Sequence, residues 1–177
     1  MPKLKLLILD AGVVIYLHEL GLWSKVVASC DLYLSRIVAE KEVLFQKSER
    51  DEYGYDIDLS PMITAGAITV FDVSVSDLKT FRNQFDLLYL GDLDDGEAES
   101  LAYLVRQSPD FLISSGDAIV YRVLGNLNRG EQGISLEEIL QKLGLGRVVH
   151  NPYTKRFREQ YTRQGQQDMV RGRGKKR

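Results

Sequence analysis

Apolar and polar positions fall into short blocks whose period changes along the chain. Leu4-Lys5-Leu6-Leu7-Ile8-Leu9 is a compact apolar run, and it predicts a first, central strand over Lys3 to Leu9. Asp10 follows at once, and Asp10 to Ile15 turns out of the strand. From Leu17 to Ser29 the period lengthens. Leu20, Trp23, Val26 and Val27 form one apolar stripe, which predicts a helix. Asp31 to Leu34 reads as a short strand, and Ser35 can cap a helix from Arg36 to about Phe45. Lys47 to Leu59 is charged and without helical period. It reads as a loop, with room for a short strand at Asp56 to Leu59, and Pro61 can open a helical turn.

The second half repeats the alternation. Ala67 to Val73 is β-branched and predicts a strand, and Ser74 or Ser76 caps a helix through Phe85. Asp92 to Glu99 opens a helix that runs to about Gln107, with Ala98, Leu101, Ala102 and Val105 inward. Phe111 to Ser114 predicts a buried strand, and Ala118 to Leu124 a helix that stops at Gly125. Ser135-Leu136-Glu137-Glu138 has the spacing of a capping box, Gly144 ends that helix, and Arg147 to Val149 reads as a last short strand. From about Gln164 the chain is polar, Gly- and Arg-rich, and reads as disordered. Strands alternating with helices predict an α/β fold, with a mostly parallel sheet of about four or five strands between two helical layers. The expected division is a folded domain over 1–150 and a basic extension over 151–177.

Composition narrows the chemistry. A single cysteine, Cys30, excludes an internal disulfide and a Cys-rich zinc site, and two histidines, His18 and His150, are too few for a His-dominated metal site. Any metal would be held by oxygen ligands, which points to Mg²⁺ or Mn²⁺. The apolar run at the N-terminus is interrupted by Asp10 and lacks a signal-peptide cleavage pattern. No stretch is long enough to span a membrane, so the expected location is the cytoplasm. Charge is unevenly spread. Arg147 to Arg177 holds ten Lys/Arg against two acids, a surplus of eight, so the rest of the chain carries −10 against a net charge of −2. An acidic body with a basic end suits a polyanion held by one part and processed by the other. The plain alternative is a solvated tail.

Asp10 is the first candidate for chemistry. An ionised carboxylate between two apolar runs is costly without compensation, and the end of a strand in an open α/β sheet is where active sites gather. Asp117 stands in the same position after Phe111-Leu112-Ile113-Ser114-Ser115-Gly116. Between them lie Glu40, in Ile37-Val38-Ala39-Glu40, and Glu97, in Leu93-Asp94-Asp95-Gly96-Glu97-Ala98-Glu99-Ser100-Leu101-Ala102. These four stretches, in this order, resemble a PIN domain, the nuclease fold of VapC-type ribonuclease toxins and their stand-alone relatives. The resemblance covers roughly residues 4 to 150, the span expected of one domain. The stretch from Ser48 to Thr69 and the basic tail go beyond the pattern of compact PIN toxins.

The resemblance implies a PIN-like three-layer α/β/α fold. It also implies that Asp10, Glu40, Glu97 and Asp117 gather at one sheet edge and hold one or two Mg²⁺ or Mn²⁺ ions for metal-dependent hydrolysis of RNA. An antitoxin protein and a homodimer are partners it brings with it. Each acid has a plainer reading. Asp10 can form a turn. Glu40 can be a solvated helix acid beside Lys41 and its competitor Glu42. Asp94, Asp95 and Glu99 compete with Glu97, which can itself be a first-turn acid favoured by the helix dipole. Asp117 can be an N-cap, and Ser115 can orient it or close a strand end. Arg171, Arg173, Lys175, Lys176 and Arg177 are candidate phosphate contacts. Two other functions stand beside the nuclease. One is a non-catalytic RNA-binding module that grips through the basic tail. The other is a haloacid-dehalogenase-like phosphatase, whose opening Leu7–Ile15 resembles but whose second Asp is replaced here by Gly12.

Overall fold

The computed structural model describes residues 4–41, 45–48 and 51–176. In chain order its elements are β1 (Leu4–Leu9), α1 (Ala11–Glu19), α2 (Trp23–Ser29) and β2 (Cys30–Ser35), then a π-helical turn (Ile37–Lys41). A hairpin of β3 (Phe45–Ser48) and β4 (Asp51–Asp56) follows, then α3 (Ser60–Thr64), β5 (Ile68–Phe71), α4 (Val75–Arg82) and α5 (Asp95–Leu104). The chain continues through β6 (Leu112–Ser114), α6 (Ala118–Asn126), α7 (Leu136–Lys142) and α8 (Lys155–Val170). The central sheet has the order β5-β2-β1-β6. All its pairs are parallel, with Leu7 opposite Leu32, Ile8 opposite Ile113 and Leu32 opposite Ile68.

Alternation along β1 builds the layers. Leu7 and Leu9 pack with Val13, Val14 and Leu17 of α1, Val26 of α2, and Leu136 and Ile139 of α7. Ile8 points to the other face, onto Phe81 of α4, Leu101 of α5 and Val120 and Leu124 of α6. The two inner strands are mostly apolar, as strands covered on both faces are, with Lys5 in β1 and Asp31 and Ser35 in β2 as the polar positions. The arrangement is consistent with a three-layer α/β/α fold. Among the described residues no single helix is long and apolar enough to cross a membrane.

Several elements differ from the sequence reading, each for a local reason. The helix expected over Leu17 to Ser29 is two helices, because Gly21 takes a left-handed conformation (φ +66). Its N–H donates to the His18 carbonyl while that of Leu22 donates to Leu17, a Schellman stop. The first helix begins directly after Asp10, where a turn was expected. Of the helix expected from Arg36 to Phe45, the described residues show the π-turn over Ile37–Lys41, and Phe45 already opens a strand. Positions 42–44, Glu42 among them, lie outside the described residues. The charged loop after Lys47 is largely the β3–β4 hairpin, and neither Asp56 to Leu59 nor Arg147 to Val149 forms a strand.

The largest correction concerns the C-terminal part. The disorder expected from about Gln164 is helix α8, packed on α6. Two glycines permit the contact. A methyl group on Gly165 would stand 1.9 Å from the Arg122 carbonyl oxygen, and one on Gly125 would stand 2.1 Å from that of Thr162. Gly125 therefore does not stop α6, which runs on to Asn126. Asp168 is buried between the helices and takes Arg122 at 2.7 Å, with the Tyr89 hydroxyl donating at 3.1 Å. A polar, Gly-containing segment thus folds because a second glycine helix offers it a close backbone approach. Gly165→Ala and Gly125→Ala should each destabilise the protein by about 3 kcal/mol, the upper end for overpacking. Gly146→Ala, with nothing nearer than 3.8 Å, should be close to neutral. Urea denaturation midpoints check this.

Candidate metal centre

Strand order places the site. From β1 the sheet grows through β2 to β5 on one side and through β6 on the other, so the connections diverge at the C-terminal ends of β1 and β6. Such a switch point leaves a crevice in an open α/β sheet. Asp10 follows β1 there, and Ser115-Gly116-Asp117 follows β6. Glu97 reaches the same place from the first turn of α5. Ligand oxygens of Asp10, Glu97 and Asp117 all lie within 4.8 Å of one another, close enough to bind a metal ion. They stand at the N-termini of α1, α5 and α6, so three helix dipoles present their positive ends to the acids.

Each carboxylate is aimed by its own local structure. Asp10 is 5 % exposed and caps α1, accepting from the Val13 N–H at 2.9 Å with one oxygen. Its other oxygen accepts from the Ser115 hydroxyl. Glu97, 3 % exposed, belongs to a capping box. One of its oxygens takes the Asp94 N–H at 3.2 Å, while the Asp94 side chain takes the Glu97 N–H at 2.8 Å. The box fixes the side chain so that its second oxygen faces Ser115, 3.5 Å away. Asp117 occupies the N-cap position of α6 but makes no side-chain capping bond, which leaves its exposed carboxylate to the site. Ser115 is the hub, because its oxygen also accepts from the Asp117 N–H at 2.9 Å.

The remaining sequence candidates are placed elsewhere. Glu40 is not in the group; its carboxylate, half exposed, pairs with Arg36, which also holds Asp72 at 2.6 Å. Asp94 is the cap of α5, and Asp95 pairs with Arg82 at 2.9 Å on the surface. Glu99 is buried but faces away from the crevice. It accepts from Ile37 and Val73 N–H groups, both at 3.3 Å, and so ties the ends of β2 and β5 together. Arg171, Arg173, Lys175 and Lys176 lie near the far end of α6 from Asp117. There Asn126 donates to the Arg173 carbonyl at 2.8 Å, and the Gly174 carbonyl accepts from Asp86 at 2.8 Å. Arg177 lies outside the described residues.

Two tyrosines went unread in the sequence. The buried Tyr121 hydroxyl accepts from the Ser115 N–H at 3.1 Å and reaches the Ser115 carbonyl at 2.8 Å, which fixes the backbone of the hub. Its position four residues after Asp117 puts it one helical turn below the site, and that spacing was the available signal. Tyr153 stacks on Tyr16 at 4.4 Å, and its hydroxyl donates to the Gly12 carbonyl at 3.4 Å. A methyl group on Gly116 would stand 2.8 Å from its ring, so Gly116 lets Tyr153 wall one side of the crevice. No local pattern links residue 153 to residue 12.

Burial dominates the electrostatics. It raises the pKa of Asp10 from 3.8 to about 6, against the hydrogen bonds of Ser115 and Val13, and the Asp117 charge adds to the rise. Glu97 is pushed well above the carboxylate range, first by burial and then by Asp117, Asp94 and Asp10. Burial, with Asp10 and Asp117 nearby, also raises the Tyr153 phenol, which stays protonated at neutral pH. The all-oxygen donor set, and the cost of ionising it unaided, fit a hard divalent cation. The chain matches no protein-family model, no curated protein and no solved structure.

The shifts give a sign. An acid whose folded pKa lies above its unfolded value binds more protons when folded, so stability is full below about pH 4 and falls as pH rises. For Asp10, about 6 against 3.8 corresponds to about 3 kcal/mol once the group ionises. Glu97 extends the fall to higher pH. The melting temperature of EDTA-treated protein should therefore drop as pH rises from about 4, with the Asp10 part complete near pH 6. Asp10→Asn should flatten that drop, and saturating Mn²⁺ should reverse it in the native chain.

Proposed function

We propose that the chain is a PIN-like ribonuclease that hydrolyses RNA phosphodiesters with a Mg²⁺ or Mn²⁺ ion held by Asp10, Glu97 and Asp117. The convergence of these three acids, from segments far apart in sequence, at the switch point of a parallel sheet carries the reading. An acidic group can arise by chance on an exposed surface. Here two of the three members are buried, and each is aimed by a cap or by Ser115. A protein spends stability on such a group when a ligand repays it.

The division of labour follows from the contacts. When bound, the ion supplies Lewis-acid stabilisation of phosphoryl oxygens and a water of lowered pKa. Asp10 and Glu97 provide the buried oxygens, and Asp117 provides the one facing solvent, where a phosphodiester arrives. Ser115 holds Asp10 in place, Tyr121 holds Ser115, and Tyr153 closes one side to bulk water. No Cys or His is needed as a nucleophile, which agrees with the placement of Cys30 in the core beneath α2.

Cleavage of a mixed pool of labelled structured and single-stranded RNAs in Mn²⁺, Mg²⁺ or EDTA tests the proposal. Cutting should require metal and should vanish in Asp10→Asn, Glu97→Gln and Asp117→Asn. Ser115→Ala keeps every ligand but frees Asp10, and should lose about 10- to 100-fold, the usual effect of removing a partner of a metal ligand. Glu40→Gln, whose carboxylate is engaged by Arg36, should lose less than any of these. Absence of both cutting and calorimetric Mn²⁺ binding would sink the reading.

A further inference from the structure

The outer face of α8 takes no part in the acid site or in packing. Thr162, Gly165 and Asp168 turn to α6 and are buried. On the opposite side Arg156, Gln160, Arg163, Gln167 and Arg171 are all exposed. Their spacing of i, i+4, i+7, i+11 and i+15 sets them in one line along the helix, about 22 Å long at 1.5 Å per residue. A shallow depression of about 390 Å³ follows the line between Arg156 and Gln167.

A merely solvated helix face usually mixes charge signs at i and i+4. This one does not. Among the described residues no ion pair engages Arg156, Arg163 or Arg171. The exposed acid beside the line, Glu159, is met by Lys155 at 3.7 Å and by Arg158 at 4.0 Å. What remains is a row of unpaired guanidinium groups separated by amides. Guanidinium forks match phosphate oxygens, and Gln amides can bond phosphate, sugar or base edges.

The line is anchored to the crevice. Tyr153, whose ring lies against Gly116 and whose hydroxyl reaches Gly12, directly precedes Thr154, the cap of α8. Arg156 follows three residues after Tyr153. The other end is held by the Gly125–Gly165 approach and by the Arg122–Asp168 pair, so the row is packed in place on α6, the helix that begins after Asp117.

We infer that the exposed Arg156–Gln160–Arg163–Gln167–Arg171 line is a track for single-stranded RNA leading away from the three carboxylates. The inference rests on the ribonuclease reading for its choice of RNA. Charge complementarity gives the polyanion, and a row one side chain wide follows one phosphate backbone rather than the two of a duplex. The track also differs from a free basic arm. Residues after Arg171 are tied back through the Gly174 carbonyl on Asp86 and the Lys176 N–H on Gln84.

Asp10→Asn protein, which should not cut, is titrated with a short fluorescent single-stranded RNA over a range of salt. The R156A/R163A/R171A variant should bind at least about tenfold more weakly, and its slope of log affinity on log salt should fall by about 2. Lysines at the same three positions should restore most of the slope. R173A/K175A/K176A should bind nearly as the parent does. Unchanged affinity in the α8 variant, equal or larger loss in the tail variant, or preference for duplex RNA would overturn the track. In the chain with native Asp10, hydrolysis of a small chromogenic phosphodiester in Mn²⁺ reads the acids alone and should survive the α8 substitutions. Track-dependent RNA binding without diester hydrolysis would leave the track standing and remove the nuclease; hydrolysis with track-independent binding would do the reverse.

Discussion

The structure is governed by the cost of holding three carboxylates together at the edge of an apolar core. Two unit charges about 4 Å apart repel by about 4 kcal/mol at an effective dielectric near 20, and burial adds a desolvation cost to each. The fold answers this with fixed dipoles. Three helix N-termini converge on the acids, the Val13 and Asp94 N–H groups each bond one of them, and Ser115 joins all three. These contacts do not offset burial and the neighbouring acids, which push the Glu97 carboxyl well above the usual carboxylate range. The residual imbalance is the charge that a bound cation would offset.

Much of the support exists to keep that group in register. Tyr121 fixes the backbone of Ser115 from within α6, and Glu99 binds the ends of β2 and β5 with one carboxylate. Arg158 takes both oxygens of Glu138 at 2.7 and 2.8 Å, which joins α8 to the start of α7. The acids therefore sit among elements clamped pairwise by buried or half-buried polar contacts, and a loop could not hold their spacing as well.

The sequence made the four strands of the central sheet and the site's centre legible because both are local. An apolar run ending in Asp10 needs no tertiary knowledge, and neither does the run ending in Ser115 and Asp117. The acidic stretch around Glu97 was readable as a helix start, but which acid faces the crevice was not. The capping box between Asp94 and Glu97 makes that choice by fixing one side-chain direction. Glu40 looked equivalent to the others in sequence, and Arg36, four residues earlier, draws it into a surface network with Asp72. The Gly-rich polar end of the chain read as disordered because its partner surface on α6 lies forty residues earlier. A glycine is a helix breaker or a contact point depending on what approaches it, and only the pairing of Gly125 with Gly165 decides.

The placement of Tyr153 has a consequence for biosynthesis. Domains tend to fold in the order in which they leave the ribosome. All three acids are present once α6 has been made, yet the wall that Tyr153 supplies comes a helix later, and α8 must still dock on α6 to hold it. A chain caught at that stage has the acids without their enclosure and with the α6 glycine face bare. Enclosure of the acids thus depends on the last helix of the chain: Tyr153 is held at the crevice by the chain that leads into α8, and α8 is held by its glycine contact with α6.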